Sequence, residues 1–426
     1  MSKRKIFIMI LVSVLIISIC SPVFAAENEK LKVWFVSCFV TDMLNYYKQV
    51  FTEFAESKGV EVEFQIIPDV DAPLKFAAAI EGGNPPDIAE FGTPGFIKYA
   101  STGQFLDISD LFNKLEKERG GVFDIGKEAV TYRGVQYGIP VGFQAQLNHI
   151  RKDILEEAGL ALPTTYEELF EVAKAVNDPG NNFYSLGQPL SVSTPDSEQW
   201  FRGILWSFGG SIVAEDSKTV VLDSQETRKA LQWIVDTYKA GLYFPGALGW
   251  DGSGNNKAYL SGKTLFIQNA MSVYWQMKSD FPELLEKTIF VPPFEGTQGR
   301  TDFGAIFSFA IFKNAKHSEL ALEALKYFMQ KDIYEGLIDA GAGYYVPIFK
   351  DNVGMALFSE DQYLKAAFEQ IKYSHGLGFP GTSTAEAQEI FDLHILTDMV
   401  QRILVDNWSF DKAIKETVDR LEKIYQ

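Results

Sequence analysis

Little in this chain is suited to redox or metal chemistry. Its 426 residues hold two cysteines, Cys20 and Cys38, and four histidines, His149, His317, His375 and His394, which do not cluster in sequence. No CxxC, HExxH or GxSxG occurs, so the common thiol, zinc and serine-nucleophile signatures are missing. Positive charge is scarce: 39 Lys and Arg against 56 Asp and Glu give a formal charge of −17. A surface so acidic argues against nucleic acid and anionic lipid as partners. Internal repeats, low-complexity tracts and long Pro/Ser linkers are also lacking, and beyond the N-terminus no stretch of 18 apolar residues runs free of charge.

What is present begins with MSKRKIFIMILVSVLIISICSPVFAA. Lys3, Arg4 and Lys5 precede the apolar run Ile6 to Cys20, about 15 residues against the roughly 20 that span a bilayer. Pro22 ends the run, and Val23-Phe24-Ala25 suits a cut after Ala25. Residues 1–25 therefore read as a secretory signal peptide. A lipoprotein signal at Cys20 would want a small residue where Ile19 stands. Removing three positive charges and no negative one takes the formal charge from −17 to −20. The expectation is an exported, soluble protein with one remaining thiol, Cys38, and no internal disulfide. Some 400 residues bury large cores unaided and imply two or more domains.

The periodicity is that of an α/β chain. LKVWFVSCFV (31–40) reads as a buried strand, and Thr41 as the cap of a helix that Gly59 stops. VEVEFQIIP, an Ala-rich helix and a short strand at Ile88 complete β-α-β-α-β, the pattern of a parallel sheet. QYGIPVGFQAQLNHI (136–150) is extended. Thr165 and Glu168 have capping-box spacing, GAIFSFAIFK (304–313) is a strand, and the last hundred residues are mainly helical.

The segment GWDGSGNNKAYLSGKT (249–264) carries the most chemistry. Its Gly-Lys-Thr invites a phosphate loop, but that motif needs glycine where Lys257 stands. Asp251, Ser253 and Asn255 have calcium-loop spacing, but Gly262 occupies the position of the required Glu. No metal and no cofactor is expected. Asn255, Asn256 and Trp250 suit a neutral sugar, since amides and carboxylates satisfy hydroxyls and flat rings cover the C–H face. The same mixture recurs at Glu90-Phe91, Phe143-Gln144, Trp200 and Trp206 near Gly209-Gly210, Asn269 through Tyr274 and Trp275, and Tyr344-Tyr345. Cys38 lies near the C-terminal end of the first strand, where open α/β sheets bind ligands. For any one ring, core packing is an equal competitor. A pair of carboxylates for glycoside hydrolysis also stays open.

Taken in order, PDIAEF (86–91), YGIPVGFQAQLNHIRKDILEEAGLALPTTYEEL (137–169), FGG (208–210), GWDGSGNNKAYLSGKTLF (249–266), IFKNAKHSELALEALKYFM (311–329) and GYYVP (343–347) resemble the solute-binding proteins of bacterial sugar ABC importers, of the large maltose-binding-protein-like class. The resemblance spans the mature chain. It implies a two-lobed periplasmic-binding-protein fold (class II-like), each lobe a sheet flanked by helices, with the ligand in a hinged cleft. It implies lobe 1 from 26–139 and 304–350, and lobe 2 from 140–303 and 351–426, with crossings near Ile139-Pro140, Gly304 and Lys350. It points Phe91 and Gln144 at the sugar, with Trp250, Asp251, Asn255 and Asn256 on the lobe 2 loop, Asn269 to Trp275 beside it, and Tyr344 and Tyr345 near the third crossing. After Phe91 this chain reads Gly-Thr-Pro-Gly, where some maltose-type members carry a charged pair; that tells against maltose. The implied protein is a periplasmic or cell-surface monomer, not an enzyme, that binds a neutral mono- or oligosaccharide and delivers it to membrane permease subunits. A glycosidase, or a binder of polyols or glycerol phosphate, would be the alternatives.

Overall fold

The computed structural model describes residues 30–38, 40–68 and 71–426. The signal peptide and Cys20 lie outside the described residues. We number the main elements in chain order: β1 Lys30–Val36, α1 Thr41–Lys58, β2 Glu61–Ile67, α2 Ala72–Glu81, β3 Ile88–Gly92, α3 Thr93–Ser101, β4 Gly138–Gln144 and β5 Gln146–Arg151. There follow α4 Pro195–Ser207, α5 Gly254–Leu260, β6 Phe266–Ala270, α6 Ser272–Asp280, β7 Thr288–Val291, β8 Ala305–Ile311, α7 Lys365–Gln370, α8 Ala385–Asp392, α9 Ile395–Leu404 and α10 Phe410–Ile424.

Two sheets organise the chain. The first has the order β2-β1-β3-β8-β4, parallel among β1 to β3 and antiparallel where β8 joins β3 and β4. Alternation in β1 sends Leu31, Val33 and Phe35 inward. On α1 the buried residues are Met43, Tyr47, Val50, Phe51, Phe54 and Ala55, the 3-4 spacing of one helical face. Gly59 closes that helix with φ 70°, a left-handed position that a side chain resists. Val40, not Thr41, is the N-cap, and no side chain caps there. Phe35 stacks on Tyr47 at 4.6 Å, and such pairs add about 0.5–1.5 kcal/mol beyond their burial.

The second sheet is β6-β5-β7, all antiparallel. Around it pack α4, α9 and α10, with a core of Trp200, Trp233, Ile204 and Leu231. The predicted capping box at Thr165 forms, with Glu168 N–H donating to Thr165 Oγ1 at 3.1 Å.

The crossing between sheets differs from the sequence reading. Ile139 and Pro140 do not lead out of lobe 1: β4 runs on to Gln144, paired with β8, and the chain passes to the second sheet at Ala145. Pro140 sits beside a bulge in β4 itself, where Val141 is the extra residue between the Pro140–Ser308 and Gly142–Phe307 pairs, on the edge strand of the sheet, where proline is tolerated. Gly304 precedes β8, which returns to the first sheet. Val346 and Phe349 still bridge to Phe143 and Val122 of the first lobe. The last three helices join the second core.

Candidate functional site

A cavity of about 560 Å³ opens where the two sheets face each other. The first lobe supplies Val36 and Ser37 at the C-terminal end of β1, Lys98 from α3, Phe307 from β8, and Tyr344. The ends of parallel strands are where open α/β sheets expose backbone groups and loops to ligands. The linking strands supply Gln144 and Gln146, two residues apart on one face, with Gln146 Nε2 donating to Gln144 Oε1 at 3.1 Å. The second lobe supplies Asp196 and Gln199 from the first turns of α4, Asn256 from α5, and Asn269 from the end of β6. Phe391, Asp392 and His394, at the end of α8, form the third wall.

Two hydrogen-bonded amide pairs thus line the space. In the second, Asn269 Nδ2 donates to Asn256 Oδ1 at 2.6 Å. Each amide locks the orientation of its neighbour and still has donor or acceptor capacity to offer. The charges are mixed: Lys98 and Asp392 come from opposite lobes, and Asp196 accepts from Asn255 Nδ2 at 2.9 Å. No arginine lines the cavity among the described residues.

Buried groups behind the walls hold these side chains in place. Asp302 accepts from Gln268 Nε2 at 2.7 Å and Gln370 Nε2 at 3.1 Å, and the same Gln370 donates to the Gln146 carbonyl at 3.0 Å. That network ties together segments far apart in sequence, around residues 146, 268, 302 and 370. Burial pushes the Asp302 carboxyl up to about 8, against the lowering effect of its hydrogen bonds. In the first lobe Glu90 accepts from Tyr47 Oη at 2.6 Å and Tyr345 Oη at 3.2 Å. Burial raises Glu90 to about 7, again against those bonds. The Tyr345 ring lies 5.1 Å from Tyr344, so the Glu90 cluster fixes a residue of the cavity wall at one remove.

Several sequence candidates are placed elsewhere. Glu90 and Tyr345 are core groups, 1 % exposed each. Asn255 is fully buried and occupied by Asp196, because α5 turns it inward while Asn256 faces out. Trp206 is buried against Phe379 at 5.3 Å, and Trp200 lies in the second core. Tyr274 is buried, its hydroxyl donating to Asp361 at 2.8 Å. Trp275, half-buried on α6, is not in the lining. Cys38 is half-buried one residue past Ser37, its thiol pushed up to about 12 by burial. Trp250 and Asp251 face a separate cavity of about 380 Å³ on the outer side of α5. There Trp250 lies 5.4 Å from Phe244, and Asp251 accepts from Ser253 Oγ–H at 2.6 Å and from Ser253 N–H at 2.9 Å, which hold its carboxyl below the usual range. Of the sixteen residues 249–264, Gly252 and Asn256 alone reach the cleft. Gln144, Asn256, Asn269 and Tyr344 line it, and Phe91 lines a smaller recess beside it.

Gln146, Asp196, Gln199, Lys98, Phe307 and the Phe391–His394 wall were not anticipated. Asp196 and Gln199 had a local signal: Thr194-Pro195 starts a helix, and Asp196 N–H donates to Thr194 Oγ1 at 3.3 Å. The α8 residues carried none, since they reach the cleft only through the packing of α8 on the distant α3.

Among the described residues, no group of three His, Cys, Asp or Glu is placed to share a metal ion, and no helix is long and apolar enough to cross a membrane. The sequence pattern of bacterial extracellular solute-binding proteins matches residues 40–335. The chain belongs to that family. A Brucella abortus protein named as a binding protein is 23 % identical over 323 residues, covering 75 % of this chain and 77 % of its own. A maltotriose-binding protein of Pyrococcus abyssi is 26 % identical over 198 residues, 44 % of this chain and 40 % of its own. The solved structure of a Thermotoga lettingae solute-binding protein with α-D-tagatose has a TM-score of 0.81 at 20 % identity, covering 94 % of this chain and 100 % of that one. The two-lobed solute-binding fold is therefore established, and with it a family of binding proteins.

Proposed function

We propose that this protein is the substrate-binding component of a carbohydrate ABC importer. It takes a neutral mono- or oligosaccharide into the cavity between its lobes and presents the closed form to permease subunits. The observation that carries this reading is the set of five amides, Gln144, Gln146, Gln199, Asn256 and Asn269, drawn from both lobes around one cavity with Phe307, Tyr344 and Phe391. Amides match hydroxyls that both donate and accept, and rings match C–H faces. A ligand bonded to both sides favours the closed arrangement by its extra contacts there, with the chain hinging where it crosses at Ala145, near Gly304 and beyond Lys350. The absence of arginine from the wall argues for a neutral ligand over a phosphorylated one. The tagatose held by the Thermotoga lettingae protein supports the same ligand class. The reading of residues 1–25 as a signal peptide supports a location in the periplasm or at the cell surface. There the protein acts as a monomer that binds without turnover.

A thermal-shift screen of residues 26–426 against monosaccharides, α- and β-linked oligosaccharides, polyols and sugar phosphates tests this. A ligand at 100 times its dissociation constant adds about 2.7 kcal/mol of stability. A neutral sugar is expected to raise the melting temperature by several degrees. A response confined to phosphorylated solutes would overturn the neutral-ligand reading.

A further inference from the structure

Beside the polar cleft lies a second, smaller space of about 150 Å³. The two share Val36, Lys98, Phe307 and Asp392, so the recess opens directly off the cleft. Its walls differ in kind. Where the cleft is lined by amides, the recess is lined by the rings of Phe76, Phe91, Tyr99 and Phe307 and contains no amide side chain. Phe91 packs on Phe76 at 4.5 Å and on Tyr99 at 5.4 Å, so three of the rings form one continuous surface. The charged groups, Lys98 and Asp392, belong to the rim shared with the cleft, and Asp392 acts electrostatically on both Lys98 and Tyr99. A hydroxyl pushed past that rim would lose water and meet carbon, which is unfavourable. A small apolar group would gain from the same burial.

We infer that the recess receives an apolar aglycone carried by the sugar, so that the natural ligand is a glycoside with an aryl or short alkyl group. This rests on the sugar-binding reading of the adjoining cleft. The sugar ring stays among the amides, and the aglycone passes between Lys98 and Asp392 onto the Phe91 surface. The recess then supplies affinity for the glycoside that the free sugar cannot draw upon.

The test is calorimetric titration of residues 26–426 with matched sets: free hexoses, their methyl glycosides and their phenyl glycosides, in both anomers. For the hexose that the cleft accepts, the phenyl glycoside is expected to bind at least about ten-fold tighter than the free sugar. Gly95 lies on α3 at the recess, where an added Cβ meets Phe91 Cδ1 at 3.4 Å, so Gly95→Leu fills the space from a backbone that tolerates a side chain. That variant is expected to lose the phenyl advantage and keep the affinity for the free sugar. Ala72→Leu fills the recess from α2 and serves as a second probe should Gly95→Leu fold poorly. If the sugar binds but phenyl and free forms are equal, the inference fails while the cleft reading stands. It fails equally if filling the recess weakens the free sugar as much as the glycoside, because the recess then holds the sugar itself. If no free sugar and no glycoside binds the unaltered protein, the cleft reading fails, and this inference with it.

Discussion

Asn256→Ala separates binding from folding more cleanly than any other change in the cleft. Asn256 lies on α5, half-exposed, and its Oδ1 accepts from Asn269 Nδ2 at 2.6 Å. That bond uses the oxygen of Asn256 and leaves its amide nitrogen to meet a ligand hydroxyl. The substitution removes the ligand bond and also takes the acceptor from Asn269, which is only 7 % exposed. In the empty cleft water can replace that acceptor, but under a bound ligand it cannot. A lost neutral hydrogen bond plus a donor left unpaired costs about 1–3 kcal/mol, which weakens binding roughly 5- to 150-fold. Stability should move the other way, because alanine is the better helix former by about half a kcal/mol. Calorimetric titration with the best sugar from the screen measures the first effect, and thermal melting of the free variant the second. Binding unchanged within about two-fold, with normal melting, would refute the assignment of the Asn256–Asn269 pair to the ligand.

Trp250→Ala is expected to lower stability by about 1–2 kcal/mol, for a ring half-buried against Phe244, and to leave sugar affinity within about two-fold, because it faces the other cavity. Melting and titration of one preparation check both. Glu90 gives a pH signature. Its folded value of about 7 stands above the ordinary 4.5, so between those pH values the folded protein holds a proton that the unfolded chain lacks, and stability falls as pH rises. At ~1.4 kcal/mol per pH unit the fall is about 3 kcal/mol, and urea midpoints at pH 5 and pH 8 should show that Glu90→Gln lacks it. Arg202 and Glu198 are both fully buried, 3.4 Å apart, with Glu198 also accepting from Thr397 N–H. Arg202→Ala leaves the carboxylate buried without its cation and should cost about 3–5 kcal/mol by urea unfolding, whereas replacing both with apolar residues should recover much of it.

The sequence showed its regular elements clearly and its turns of direction poorly. The β-α-β-α-β start was legible because β1, α1 and β2 have unbroken periodicities, and the capping box at Thr165 because its two residues act locally. Pro140 misled for a physical reason. Proline suggests a break in a strand, but on an edge strand at a bulge it is tolerated, so β4 carries on to Gln144. The amide residues Gln144, Asn256 and Asn269 were legible by type, since polar amides beside Gly-rich turns have few structural duties. The aromatic candidates fared worse, because a ring serves a core as well as a cleft. Trp206, Tyr274 and Tyr345 are core groups, and Trp250 looks outward from α5. Asp392 and His394 had no local pattern at all. They line the cleft because α8 packs against α3, nearly 300 residues away in sequence.

In the proposed function, the cavity between the lobes holds one neutral sugar and leaves it unchanged. Titrating residues 26–426 with the sugar that responds in the screen, and analysing the mixture for products afterwards, tests this directly. One site per chain, intact sugar after prolonged incubation and a marked loss of affinity in Asn256→Ala are expected. Hydrolysis of the sugar, or binding that Asn256→Ala leaves untouched, would contradict it.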